Sequence, residues 1–401
     1  MVFSDPQMLA ALPALAWPAV LLLAWAVGEA AHRQLGLPRI SAYALVGVVC
    51  APTQLGLLPA GPALGMDLAA YVAFGLLLFE FGYRVNLRWF AHNPWLGVSA
   101  GVDGALCFVA IGFVSSWLGA DAATAALLGA LGMASSPAAI VRVLNEEHAA
   151  GQIAERLVHV AAVGCVLAVL AFKAVLAVHV YQSSGSLAQA LYTGAWALLL
   201  SAALGLLAGV AMPALLRLPA RAPDGTLPYA LAVIGLVALT HVLLLSPIVA
   251  CLAFGLAARH RRVVFSRNAR GFGPLGDLLS LTLFVYLGSR LDLDGLQGGL
   301  ALGAALVGTR LLVTPAVMAA FARISGTTPR KGALTGLGLM PLSAFALLLL
   351  EQSRHLQLPL LDRLAPLAAA LLVLELLGPL CTQLALRWGG ELAERRPGDL
   401  R

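Results

Sequence analysis

Charged side chains are scarce in this sequence. Only 11% of its 401 residues are Asp, Glu, Lys or Arg, against about 25% in a typical soluble domain. The depletion runs from end to end, so no stretch is suited to cover a water-exposed globule. Cysteine is sparse too. The five, Cys50, Cys107, Cys165, Cys251 and Cys381, all lie in apolar runs without metal or redox spacing, which argues against a disulfide framework. No metal-ligand cluster, phosphate loop or nucleophile–base arrangement stands out. An enzyme is therefore not expected, and neither a cofactor nor a bound metal. Glu146-Glu147-His148 lacks the HExxH spacing and reads as a solvated inner loop. The first apolar run follows MVFSDPQM, which carries an acid and no base, so it does not read as a signal peptide.

What the sequence has is hydrophobic length. Hydrophobic residues make up 60% of it, and apolar windows long enough to cross a core of about 30 Å recur throughout. The runs are continuous rather than alternating, which selects helices over barrel strands. Thirteen spans are expected, at 9–27, 40–58, 69–83, 95–118, 122–144, 153–180, 187–216, 227–243, 247–258, 275–287, 296–321, 332–350 and 364–386. Ser246-Pro247 separates the eighth from the ninth, because proline lacks a backbone donor and disfavours helix in the residue before it.

The bases test this count. With the N-terminus outside, twenty of the 25 Lys and Arg fall in inner loops. Arg290, Arg354 and Arg363 fall outside, and Lys173 and Arg310 lie within spans. That asymmetry fits the positive-inside rule, so the net charge of +6 reflects topology rather than nucleic-acid binding. The C-terminus is then cytoplasmic. Residues 389–401 read as a short solvated tail, with no regulatory nucleotide-binding domain after the last span.

Two spans carry interruptions. The fifth contains Ser135-Ser136-Pro137. The twelfth contains Gly332, Gly336, Gly338 and Pro341, followed by Ser343. Taken singly, each is compatible with a simple proline kink. Taken together, they lie seven spans apart and cross in opposite directions, dividing thirteen spans into six, one and six. Interrupted helices at matching places in two inverted halves point to a transporter site. The freed peptide groups there need protein or a hydrated cavity beside them.

These features resemble the monovalent cation:proton antiporters, the sodium/hydrogen-exchanger-like group that includes Kef-type membrane domains. The segments that carry the likeness are SSPAAIVRVLNEEHAAGQIAERLV (135–158), FGLLLFEFGYRVNL (74–87), LTLFVYLGSRLDLDGL (281–296), and GTRLLVTPAV through GALTGLGLMPLSAFAL (308–347). The resemblance implies an all-α integral membrane protein with an inverted-repeat antiporter fold and two discontinuous helices crossing near the midplane. It also implies a core moving against a dimerising scaffold. The corresponding division is 1–91 scaffold, 92–181 core, 182–222 linker, 223–294 scaffold, 295–388 core and 389–401 tail.

One departure matters. The family usually places Asp-Asp or Asn-Asp in the middle of its sixth helix, where the carboxylate binds cation and proton in turn. The matching positions here are Gly164 and Cys165. Glycine binds no proton, and a buried thiol usually behaves as a small hydrophobe. The family's basic residue of the eleventh helix is matched by Arg310.

The ionisable residues left in the presumed core are Asp103, Lys173, Arg310 and Glu375. A charge at mid-bilayer costs about 2.5–3.5 kcal/mol on insertion scales and is usually paired and often functional. Asp103 or Glu375 is thus expected to replace the missing carboxylate, with Arg310 or Lys173 as competing partner; the alternative is a permanent structural pair. Glu80, four residues before Arg84, is positioned for a helical salt bridge. Glu351 sits near the outer end of the twelfth span. His159 and His241 can titrate near neutral pH, though such histidines are more often packing residues.

The reading is a secondary active transporter that exchanges a monovalent cation, sodium or potassium, for protons by alternating access. The resemblance adds a homodimer in a bacterial inner membrane. The alternatives are a same-fold carrier with another solute or coupling ion, and a transport-inactive sensor or scaffold.

Overall fold

The computed structural model describes residues 6–59, 64–184, 187–216, 226–261, 272–291, 296–342, 346 and 365–392. Every regular element among them is a helix. In chain order these are α1 (Pro6–Leu35), α2 (Arg39–Cys50), α3 (Leu64–Arg84), α4 (Leu87–His92), α5 (Pro94–Trp117), α6 (Ala122–Gly132), α7 (Pro137–Glu146) and α8 (Gln152–Ser184). They continue with α9 (Leu187–Leu216), α10 (Thr226–Val242), α11 (Pro247–His260), α12 (Gly273–Ser289), α13 (Leu296–Ala320), α14 (Pro329–Gly338) and α15 (Ala365–Trp388). Seven helical spans among the described residues are long and apolar enough to cross a bilayer.

Proline and short polar caps set many of the boundaries. Pro94, Pro137, Pro247 and Pro329 each open a helix, where the missing N–H costs nothing. Ser136, Ser246 and Thr328 cap the helices that follow them, each accepting a backbone N–H three residues on. The expected break before Pro247 is present, with α10 ending at Val242 and α11 starting at Pro247. The second span is shorter than expected. It stops at Cys50 because Pro52 follows and the chain folds back, with Leu58 N–H donating to Cys50 O at 3.0 Å and Gly56 at φ +64°.

The helices pack in two sets. In one, α2 lies on α1 and α12, and α3 and α9 lie on α11. In the other, α5, α6 and α8 pack together, and α13 joins α5, α14 and α15. The sets meet where α8 packs on α9 and α3, α7 on α3, and α15 on α2. Small residues bring backbones close, as lipid-embedded helix pairs require. A Cβ on Gly47 would stand 2.2 Å from Val285 O, and one on Gly255 2.0 Å from Phe79 O. Gly255→Ala should therefore destabilise at or beyond the top of the range for overpacking, about 1–3 kcal/mol. Gly235, with nothing within 4 Å of its Cβ position, should accept alanine without loss. Thermal melting of the two purified variants in detergent checks this contrast.

Two expectations of solvation are corrected. Glu146 is not in a solvated loop: its side chain is 8% exposed and meets His32 at 2.8 Å and Arg39 at 3.0 Å. A carboxylate ending α7 is tolerable there because the Arg39 guanidinium offsets the helix C-terminus. In the tail, Glu391 is buried at 6% exposure. It accepts Ile153 N–H at 2.8 Å and Ala154 N–H at 3.0 Å, and pairs with Lys331 at 3.4 Å. The start of α8 needs an anion, and Glu391 supplies it.

Candidate functional site

The fifth span is interrupted where the sequence places Ser135-Ser136-Pro137. Helix α6 ends at Gly132, with Met133 N–H still donating to Gly129 O at 3.1 Å; Ala134–Ser136 are irregular, and α7 begins at Pro137. The twelfth span is interrupted in the same way, since α14 ends at Gly338 and Leu339–Leu342 are irregular. Ala346 N–H donates to Leu342 O at 3.3 Å. Ser343 and Glu351 lie outside the described residues.

The two breaks touch. Ser136 N–H donates to Pro341 O at 2.6 Å, and the Ser135 hydroxyl donates to Leu339 O at 2.8 Å. Pro341 has no N–H to give, so the pairing runs one way. Ser135 and Ser136 are buried, as are Leu339 and Met340. Two half-helix C-termini, α6 and α14, converge here with carbonyls that lack helical partners, and each carries partial negative charge.

Arg310 occupies that point. It rises from the middle of α13, is 1% exposed, and is the largest fully buried side chain among the described residues. One Nη donates to Gly132 O and the other to Leu339 O, the latter at 2.7 Å. A planar guanidinium bridges two carbonyls in a way that a lysine ammonium does not. The buried cation thus caps both half-helices at once.

The sodium/hydrogen exchanger transmembrane family model matches residues 19–388. The chain belongs to this family. Its fold is similar to that of the sodium proton antiporter MjNhaP1 from Methanocaldococcus jannaschii. One structure of that protein, at pH 8, gives a TM-score of 0.66 at 16% identity over 93% of this chain and 96% of that one. A second, from electron microscopy, gives 0.69 at 18% identity over 99% of both. No curated protein matches in sequence.

Within this exchanger-family fold, α8 is the helix that carries the acid-free positions. Cys165 is buried and its Sγ donates to Ser135 O at 3.2 Å, so the thiol ties α8 to the first break. Gly164 faces the same break. Among the described residues a Cβ there would find only Met133 O, at 3.8 Å.

The four buried ionisable residues do not form one cluster. Asp103, on α5, lies within electrostatic reach of Arg310 without touching it. Cys107 Sγ links the two helices, standing 3.8 Å from Asp103 Oδ1 and 3.4 Å from Thr314 Oγ1. Lys173 is half-buried on α8 and makes no hydrogen bond or ion pair among the described residues. Glu375 is buried on α15 and its Oε1 has no hydrogen-bond partner among the described residues. Proximity between Asp103 and Arg310 is therefore present, whereas Glu375 and Lys173 stand apart from each other and from that pair.

The remaining candidates sit nearer helix ends. Glu80 pairs with Arg84 at 3.2 Å and accepts Asn145 Nδ2 at 2.8 Å, so the expected i,i+4 pair also joins α3 to α7. His159 is fully buried; its Nε2 accepts Asn86 N–H at 3.0 Å and its Nδ1 donates to Glu155 O at 2.7 Å. Trp89 and Phe90 stack around the ring, which is the arrangement of a packing histidine. Sequence reasoning missed Thr314 and Thr382. Thr382 donates to Gly338 O at 2.8 Å. Threonine inside an apolar span was the available signal. A groove of about 530 Å³ between α4, α9 and α11 is lined by Leu206, Val210 and Arg261 and is separate from the crossing.

Proposed function

We propose that this protein exchanges a monovalent cation, sodium or potassium, for protons by alternating access around the crossing of the two broken helices. The observation that carries this reading is the Arg310 guanidinium held between Gly132 O and Leu339 O. It fixes the crossing through those two carbonyls and stands beside the remaining carbonyls and hydroxyls of the breaks. Those oxygens are hard ligands suited to a small dehydrated cation, and their negative dipole ends favour one. Asp103, facing Arg310, balances the guanidinium.

The motion would carry α5–α8 and α13–α15 against the set built on α1–α3 and α9–α12. The base asymmetry supports an outer N-terminus and an inner C-terminus, and the family membership supports a homodimer in an inner membrane. Sodium proton antiport, the activity of MjNhaP1, offers a model for the chemistry.

A second reading, a carrier of the same architecture with another solute or coupling ion, is favoured by Gly164 and Cys165 standing where the family usually has its acidic pair. Proton release from everted vesicles, with sodium, potassium and lithium varied in turn, separates the two. Exchange predicts release driven by sodium or potassium. Release by none of the three would rule it out.

A further inference from the structure

Glu375 lies on the face of α15 that meets the second break. The i, i+3 and i+7 positions of a helix share a face. Gly378 and Thr382 occupy the later two, and both touch the break: a Cβ on Gly378 would stand 2.7 Å from Pro341 Cα, and Thr382 donates to Gly338 O at 2.8 Å. Glu375 is thus the carboxylate one turn along from Pro341. It is 4% exposed and leaves Oε1 unpaired among the described residues.

The charged groups on the described parts of the helices packed against α15 lie elsewhere. On α8, Arg156 donates to Ser325 Oγ at 2.8 Å, Glu155 stands 4.0 Å from His159, and Lys173 makes no ion pair among the described residues. Arg310 of α13 is held by Gly132 and Leu339. On α14, Arg330 donates to Trp388 O and Lys331 pairs with Glu391. Arg39 of α2 pairs with Glu29 and with Glu146 of α7, and Arg142 of α7 pairs with Asp277. None of them acts on Glu375. Asp103 differs, because Arg310 is within its reach.

An isolated carboxylate in an apolar interior is too costly to stay charged. It must carry a proton or hold a cation. Among the described residues Asp103 has an internal counter-charge and Glu375 has none, so of the two it is Glu375 that calls for an exchangeable one. We propose that Glu375 is the carboxylate that binds proton and monovalent cation in alternation, replacing the acid absent at Gly164 and Cys165. This deepens the exchanger reading and rests on it for the transport step. One proton leaves the carboxyl as one cation arrives, and the reverse occurs on the other side, so each cycle moves no net charge.

Two measurements test it. The intact protein in detergent is treated with N,N′-dicyclohexylcarbodiimide, an apolar reagent that couples to protonated carboxyls, with and without sodium or potassium chloride, using choline chloride as the control. Peptide mass spectrometry should find label at Glu375, lowered severalfold by the cation. In proteoliposomes, Glu375→Gln should lower cation-driven proton flux by at least about tenfold, while Glu375→Asp retains flux with a shifted half-saturating cation concentration. A label that ignores the cation, or an undiminished E375Q rate, overturns the assignment. Wild-type protein that protects Glu375 but moves no protons would defeat the exchanger reading and leave the binding site standing. Because labelling uses the unaltered chain, misfolding of E375Q cannot hide the answer.

Discussion

Arg310→Ala should abolish transport and loosen the centre of the protein together. The guanidinium donates to Gly132 O and Leu339 O. Leu339 O keeps a second donor in Ser135, but Gly132 O keeps none among the described residues. An orphaned buried carbonyl costs about 1–3 kcal/mol. Two half-helix C-termini also lose the cation that faces their dipoles, and Asp103 loses its counter-charge. A combined cost of about 3 kcal/mol corresponds to roughly a hundredfold in an equilibrium constant. Arg310→Lys keeps the charge but cannot span both carbonyls, so it should fall between wild type and alanine. Flux in proteoliposomes and thermal melting read the two effects. Wild-type melting and flux in R310A would mean that the clamp carries no weight.

Gly164→Asp should be accepted sterically and should change ion dependence strongly. Among the described residues the Cβ position meets nothing but Met133 O, at 3.8 Å. A carboxylate there would face a carbonyl oxygen, with the Ser135 break alongside. Oxygen facing oxygen is repulsive unless a proton or a cation sits between them, so the variant builds a cation ligand set where the family usually has one. Placing an acid at this depth costs about 2.5–3.5 kcal/mol unless it is compensated, so stability should depend on the bound ion. Melting should rise with sodium or potassium in G164D more than in wild type. Apparent cation affinity should tighten by about tenfold, the equivalent of about 1.4 kcal/mol from one added charged ligand. The same variant that melts without regard to cations would show that Gly164 does not face the ion path. Gly336→Asp is the contrasting change. Its Cβ would stand 2.4 Å from Pro315 Cα, so that variant should fail on packing alone.

Both predictions bear on how much the sequence discloses. Hydropathy places spans close to the helices present, because the membrane leaves the backbone few options. Pro137 and Pro341 mark both breaks, since a missing N–H acts locally. Arg310 stands out as a base inside an apolar run. Its partners do not, because Gly132 is 178 residues away. The tail reads as solvated and instead brings Glu391 to the start of α8 from 238 residues on. The Glu146 loop misleads for the same reason: its partners, His32 and Arg39, come from α1 and α2.

The sequence by itself determined that the chain is helical, lies in a bilayer and is interrupted twice. Those are properties of composition and of residues a few places apart. Tertiary structure alone decided which buried charges meet. It set Arg310 across two helix ends, left Asp103 within its reach, and left Glu375 without an ion-pair partner among the described residues. Pairing over hundreds of residues depends on how helices cross, and no local pattern encodes that.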